Sequence, residues 1–208
     1  MIYLIGGPPK CGKTTLAKRL SKLKGIPWVS MDTLQCVIKP YINRRDLATK
    51  FPASFQRGKN NDEKYSQYST DEIIEAYRQQ GKTLYQAIDM FAICEITDGN
   101  DFIIEGYHIE PELVAELKAK YPNKLKSIFL IKTDETKFVS DIKKSGNPND
   151  WIIARTNSKG TYNKIAKMIC AYGKFFEKES KKYGFKVLNT DNDFDNQVNE
   201  AIDYLMTA

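Results

Sequence analysis

The chain has 208 residues, with 32 basic against 26 acidic side chains and a formal net charge of +6. That length fits one domain with a full core, and the modest, dispersed charge admits anionic small molecules without requiring nucleic acid. No apolar run approaches bilayer-spanning length, the first strand-like run starts at residue 2 with no room for a secretory leader, and the four cysteines (11, 36, 94 and 170) match no C-x-x-C or zinc spacing, so a reduced cytoplasmic protein is expected.

The chain begins with IYLI, a short apolar run suited to a buried strand, followed by GGPPKCGKTT over residues 6–15. The spacing is G-x-x-x-x-G-K-[ST]: Gly7, then Pro8, Pro9, Lys10 and Cys11, then Gly12, Lys13 and Thr14, with Thr15 next. A loop of this length wraps backbone N–H groups around phosphates and turns at Gly12 into a helix, whose N-terminus adds positive potential. Lys13 is expected to reach the outer phosphates and the Thr14 hydroxyl to hold Mg²⁺. Leu16, Leu20 and Leu23 recur at helical spacing behind the loop. Cys11 lies where a helix N-terminus can depress a thiol pKa, which would permit redox inhibition, but a small loop-filling residue is the simpler reading.

Four more strand candidates follow, at 26–30, 101–106, 126–133 and 184–190. Helical faces separate them: Leu84, Ile88, Phe91 and Ala92; Ile165, Ile169, Tyr172 and Phe176; Val198, Ile202 and Leu205. Strands alternating with helices predict an α/β fold with a parallel sheet covered on both faces and ligands beyond the carboxyl ends of its strands. We expect one domain over 1–208, broken by two long polar insertions at about 40–69 and 134–161, both leaving the carboxyl-end side.

Phosphoryl transfer needs a phosphate cradle, a metal, cationic clamps and a group that orients the nucleophile. Asp32 follows the second strand candidate in WVSMDTL, where it can accept a proton from an acceptor hydroxyl, hold metal through water, or serve as a helix N-cap. Glu105 ends FIIEG, as expected of a second metal-organising carboxylate, with capping as the alternative. Gly106 permits close approach or an ordinary turn, and His108, the one histidine, is more simply structural than catalytic. The chain has six arginines against 26 lysines, and planar guanidinium groups suit phosphate clamping. Arg44, Arg45 and Arg57 fall in the first insertion, as candidates to bind an anionic acceptor; Arg155 falls in the second, as the candidate to close on the transferring phosphoryl group.

With GGPPKCGKTT, the WVSMD strand-Asp, FIIEG, an insertion holding Arg155 and GFKVLNTD as last strand, the chain resembles the nucleoside-monophosphate-kinase-like branch of P-loop kinases. FIIEGYHIEP resembles the EG-x-H-x-x-P stretch of 2-phosphoglycerate-kinase-like proteins, and the Asp32 position is similar to that of small-molecule phosphotransferases of the chloramphenicol phosphotransferase type. The resemblance implies five parallel strands in order 2-3-1-4-5, an acceptor lobe after strand 2, a lid after strand 4, ATP and Mg²⁺ as cofactors, and a small-molecule acceptor. Adenylate kinases differ, carrying Pro-Arg where this chain has Tyr107-His108-Ile109 and several lid arginines where it has Arg155 alone. A polynucleotide-kinase-like reading uses the first insertion as a strand groove with Tyr41, Phe51 and Phe55 as stacking platforms. A nucleotide-switch reading lacks the guanine-reading N-K-x-D, since 123–126 is NKLK.

Overall fold

In the computed structural model, which describes residues 1–145 and 148–207, β1 (Ile2–Gly6) is buried along its whole length because strands pair on both of its edges. β2 (Trp28–Ser30), β3 (Phe102–Glu105), β4 (Leu125–Ile131) and β5 (Val187–Asn189) complete a five-stranded parallel sheet in order β2-β3-β1-β4-β5. This is the expected fold class and order. The register sets Glu105 beside both Ile5 and Ser30, so the end of β3 lies level with the start of the phosphate loop and the chain leading to Asp32.

Side chains alternate across β1. Tyr3 and Ile5 join one core layer with Leu16, Leu20, Ile165, Ile169, Val198 and Leu205; Ile2 and Leu4 join the other with Ile88, Ile104, Val114, Phe129, Tyr172 and Phe176. The helices that supply these residues are α1 (Lys13–Lys24), α7 (Tyr85–Thr97), α8 (Pro111–Lys120), α11 (Lys159–Lys182) and α12 (Phe194–Thr207). α11 reaches both layers and lies close to the sheet at Gly173, where a Cβ would stand 2.4 Å from the Lys132 carbonyl oxygen. Leu23 shares the helix face of Leu16 and Leu20 but is 60% exposed, at the end of α1 just before its Gly25 C-cap.

The first insertion is folded rather than a plain loop. After α2 (Met31–Ile38) and a 3₁₀ turn (Lys39–Tyr41) come α3 (Leu47–Lys50), α4 (Pro52–Phe55) and α5 (Asn61–Gln67), leading into α6 (Thr70–Thr83) with its Ser69–Glu72 capping box. Phe51 is fully buried and belongs to the core, so it is no base-stacking platform; Tyr41 and Phe55 remain exposed. The second insertion forms α9 (Glu135–Ser145) and α10 (Trp151–Ala154); Gly146 and Asn147 of its turn cluster lie outside the described residues. Among the described residues no helix is long and apolar enough to cross a membrane.

Another buried carboxylate is the N-cap residue of α8. Glu110, 1% exposed, accepts from the hydroxyls of Tyr172 (3.2 Å) and Tyr85 (3.4 Å), with the Arg78 guanidinium 3.4 Å away. Burial lifts its pKa to about 7 against the opposing pull of Arg78.

Candidate active site

The phosphate loop takes the path that its glycines permit. Gly7 has φ 129° and a Cβ there would stand 2.0 Å from the Leu130 carbonyl oxygen; Gly12 has φ 96° and a Cβ there would stand 2.6 Å from the Phe194 ring. Lys10, also left-handed at φ 66°, pairs its ammonium with Asp150 of the second insertion. The Lys13 ammonium curls across the loop and donates to the Pro8 carbonyl at 2.5 Å. The ends of β4 and β5 brace the loop: the Thr190 hydroxyl donates to the Cys11 carbonyl (3.1 Å), and Lys132 donates to the Thr190 carbonyl (2.8 Å).

Cys11 fills the loop, the simpler of its two readings. Its thiol is fully buried, and burial pushes its pKa up to about 11 despite the pull of Lys13 and Lys132. This is a packed, unreactive thiol, the reverse of a redox-poised one.

Thr14 and the two carboxylates meet at the sheet edge. The Thr14 hydroxyl donates to Glu105 Oε1 at 2.9 Å, and Glu105 is 3% exposed. Ser30 is the N-cap of α2, accepting from the Asp32 amide at 3.3 Å, so Asp32 is free of the capping role and stands in the first helical turn. Its carboxyl opens onto cleft space yet is walled by protein. That burial raises its pKa, Glu105 adds to the rise, and Lys13 and Lys39 oppose it.

A cleft of about 540 Å³ runs from Lys13 and Thr14 past Asp32 and Glu105 to both insertions, with Arg57, Lys64, Trp151 and Arg155 in its wall. Arg57 and Arg155 therefore share one cavity with the phosphate loop. Arg44 and Arg45 are exposed and do not line it. The two insertions hold each other. Arg155 Nη2 donates to the carbonyls of Arg57 (3.4 Å), Gly58 (3.1 Å) and Lys59 (3.2 Å), and the Asn61 amide donates to the Arg155 carbonyl (2.8 Å). Asp62 accepts from the amides of Asn157 (2.9 Å) and Ser158 (3.1 Å).

Sequence reasoning missed a buried polar network along the cleft. The Gln80 amide donates to Gln35 Oε1 (2.7 Å) and to the Tyr107 hydroxyl (2.6 Å), and its carbonyl oxygen accepts from the Ser54 amide (3.2 Å). His108 Nε2 lies 3.0 Å from Gln35 Oε1, an acceptor, so Nε2 carries the hydrogen. His108 Nδ1 is buried without a partner, and burial with the nearby Lys13 and Lys39 depresses the ring's pKa to about 3. The ring is held neutral and structural. Gly106 is required by packing, since a Cβ would meet Met31 at 2.8 Å and His108 Nδ1 at 3.0 Å. Gln35 and Gln80 carry no motif; the available signal was a glutamine at a helix position facing inward.

A second cavity, about 400 Å³, lies on the other side of the phosphate loop, between Lys10, Phe138, Ile142, Thr190, Asp191 and Phe194. Its aromatic and aliphatic walls suit a flat ring.

Comparison with known proteins agrees with this geometry. Over 121 residues the chain is 26% identical to the mevalonate-3-phosphate 5-kinase of Thermoplasma acidophilum, covering 57% of this chain and 56% of that one. It is 23% identical, again over 121 residues, to an uncharacterized protein of Dictyostelium discoideum, covering 58% of this chain and 14% of that one. The match thus spans less than two thirds of either relative. Among solved structures, a sugar kinase from Janibacter sp. HTCC2649 superposes with a TM-score of 0.55 at 15% identity, covering 100% of this chain and 95% of that one, a likeness of fold. Residues 4–162 match the model of the AAA_18 family, described as an AAA domain, and the chain belongs to that family of P-loop proteins.

Proposed function

We propose that the protein is an ATP- and Mg²⁺-dependent kinase that phosphorylates a small-molecule acceptor, with residues 1–208 acting as one catalytic unit. The observation that carries this reading is the continuous cleft in which the Lys13–Thr14 cradle, Asp32 and both insertions face a shared space. The phosphate loop, residues 7–15, holds the nucleotide phosphates and the second cavity takes the base. Thr14 with Glu105 and Asp32 supplies a hydroxyl and two carboxylates, hard oxygen donors that fit Mg²⁺ alongside phosphate oxygens. When bound there, Mg²⁺ supplies charge neutralisation to the phosphates.

Asp32 orients the acceptor hydroxyl and accepts its proton. Lys13 and Arg155 neutralise charge on the transferring phosphoryl group, and Arg57 meets the acceptor; Arg44 and Arg45 lie outside the cleft and have no part in this reading. The clasped insertions exclude water, which otherwise competes as acceptor. All four cysteines are free, which suits a reducing compartment, and the cytoplasm is our assignment.

The test is an ATP-consumption screen across hydroxylated and phosphorylated metabolites, with Lys13→Ala as blank. An acceptor that accelerates consumption and gains a phosphoryl group supports the reading. Failure of the wild-type protein to bind or consume any nucleoside triphosphate overturns it.

A further inference from the structure

The charge on the cleft walls is unbalanced. Among the described residues Asp32 and Glu105 are its only lining carboxylates, against Lys10, Lys13, Lys39, Arg57, Lys64 and Arg155. Most of these cations have protein partners: Lys10 pairs with Asp150, Lys13 with the Pro8 carbonyl, Lys39 with the Ser54 hydroxyl at 2.6 Å, and Arg155 with three carbonyls. Lys64 is different. It is 6% exposed, and its ammonium lies over the rings of Tyr77 (4.9 Å) and Tyr65 (5.9 Å), with no ion pair among the described residues.

The charges in the cleft grade into one another, since Lys39 feels both Asp32 and Arg57. Asp32 is influenced by Lys13, Glu105 and Lys39, whereas Lys64 is influenced by Arg155 and Arg57. Burial, with those two arginines, holds the Lys64 pKa down to about 8. A buried ammonium facing two guanidinium groups is costly unless an anion completes the set. The nucleotide phosphates are already provided for by the loop and Lys13.

We propose that the acceptor carries an anionic group, a phosphate or a carboxylate, which seats on Lys64 and Arg57 while its hydroxyl faces Asp32. This rests on the kinase reading and narrows its substrate class to anionic hydroxy compounds. Tyr77, Gln35 and Gln80 line the same cleft and receive the body of the molecule.

The test uses inorganic phosphate and acetate as probes, titrated by calorimetry into protein loaded with Mg²⁺ and a non-hydrolysable ATP analogue. The same titration is repeated in Lys13→Ala protein without nucleotide, so the anion result does not depend on nucleotide binding. In both backgrounds Lys64→Met is expected to weaken probe binding roughly tenfold or more, as for loss of a charge-assisted hydrogen bond. Arg57→Ala, at an exposed position that does not threaten folding, is expected to weaken it severalfold. Lys22→Met, the same charge change at an exposed site on α1, leaves it unaltered. Tighter binding of phosphate than acetate assigns a phosphorylated acceptor, and the reverse a carboxylate. Binding that is equal in wild type, Lys64→Met and Arg57→Ala overturns the proposal, as does failure of both probes to bind. Failure of the nucleotide analogue alone overturns the kinase reading and leaves the anion site standing.

Discussion

Acidification should act on this fold through its one histidine. His108 is fully buried, with Nε2 committed to Gln35 and Nδ1 lacking any acceptor for a second proton. Its pKa falls from 6.5 to about 3 on folding. The unfolded chain therefore binds a proton below pH 6.5 that the native state refuses, so stability is lost as pH falls through that window. The slope is about 1.4 kcal/mol per pH unit, giving a loss of about 3 kcal/mol by pH 4.5 and about 5 kcal/mol by pH 3. Glu110 opposes it over part of the range: with its pKa raised from 4.5 to about 7, its stabilising contribution is full below 4.5 and is lost as pH rises through 7. The wild-type profile alone is therefore flattened, and the informative quantity is a difference. Urea unfolding of wild type and His108→Gln, followed at pH 7.5 and 4.5, should show wild type losing about 3 kcal/mol more than the variant on acidification. A stability gap between the two proteins that is the same at both pH values refutes the buried-neutral reading.

Glu110→Gln should remove the opposing trend, so that the variant loses about 3 kcal/mol relative to wild type between pH 7 and 4.5, read by the same denaturation assay. Asp32→Asn should lower kcat about 10²- to 10⁴-fold with nucleotide affinity unchanged; steady-state kinetics against equilibrium nucleotide binding separates the two, and equal losses remove the orienting role. Gly12→Ala should cost about 1–2 kcal/mol from its left-handed backbone, plus the clash with Phe194, so thermal unfolding should fall and recover in part when Phe194→Ala is added.

How far these groups were legible in sequence follows from the range of the forces that place them. The phosphate loop is local: its glycines answer to their own φ angles and to one strand behind them, so spacing alone located it. Asp32 and Glu105 were readable because each ends a short apolar run, and parallel register does the rest. Lys64 was not readable. It sits in NNDEKYS, a run that looks like solvated surface, yet its ammonium is buried over the rings of Tyr65 and Tyr77, and the neighbouring Asn61 and Asp62 are tied to residues 151 to 158, nearly a hundred positions later. Phe51 was misread for the same reason in reverse: its polar flanks suggest exposure, whereas it joins the core layer of Ile2 and Leu4, against which Ile38, Ile42 and Leu47 also pack.

The clasp between the insertions has a consequence for how such a protein can diverge. At residues 57–59 the second insertion is gripped through main-chain carbonyls, and at 157 and 158 the first is gripped through main-chain amides. The side chains in that grip include Arg155, Asn61, Asp62 and Thr156, and none of these is at residues 57–59. The side chains of residues 57–59 are thereby released from the task of holding the jaw shut. Descendants of this sequence can exchange them, and with them the molecules they greet, while the closing surface keeps its shape.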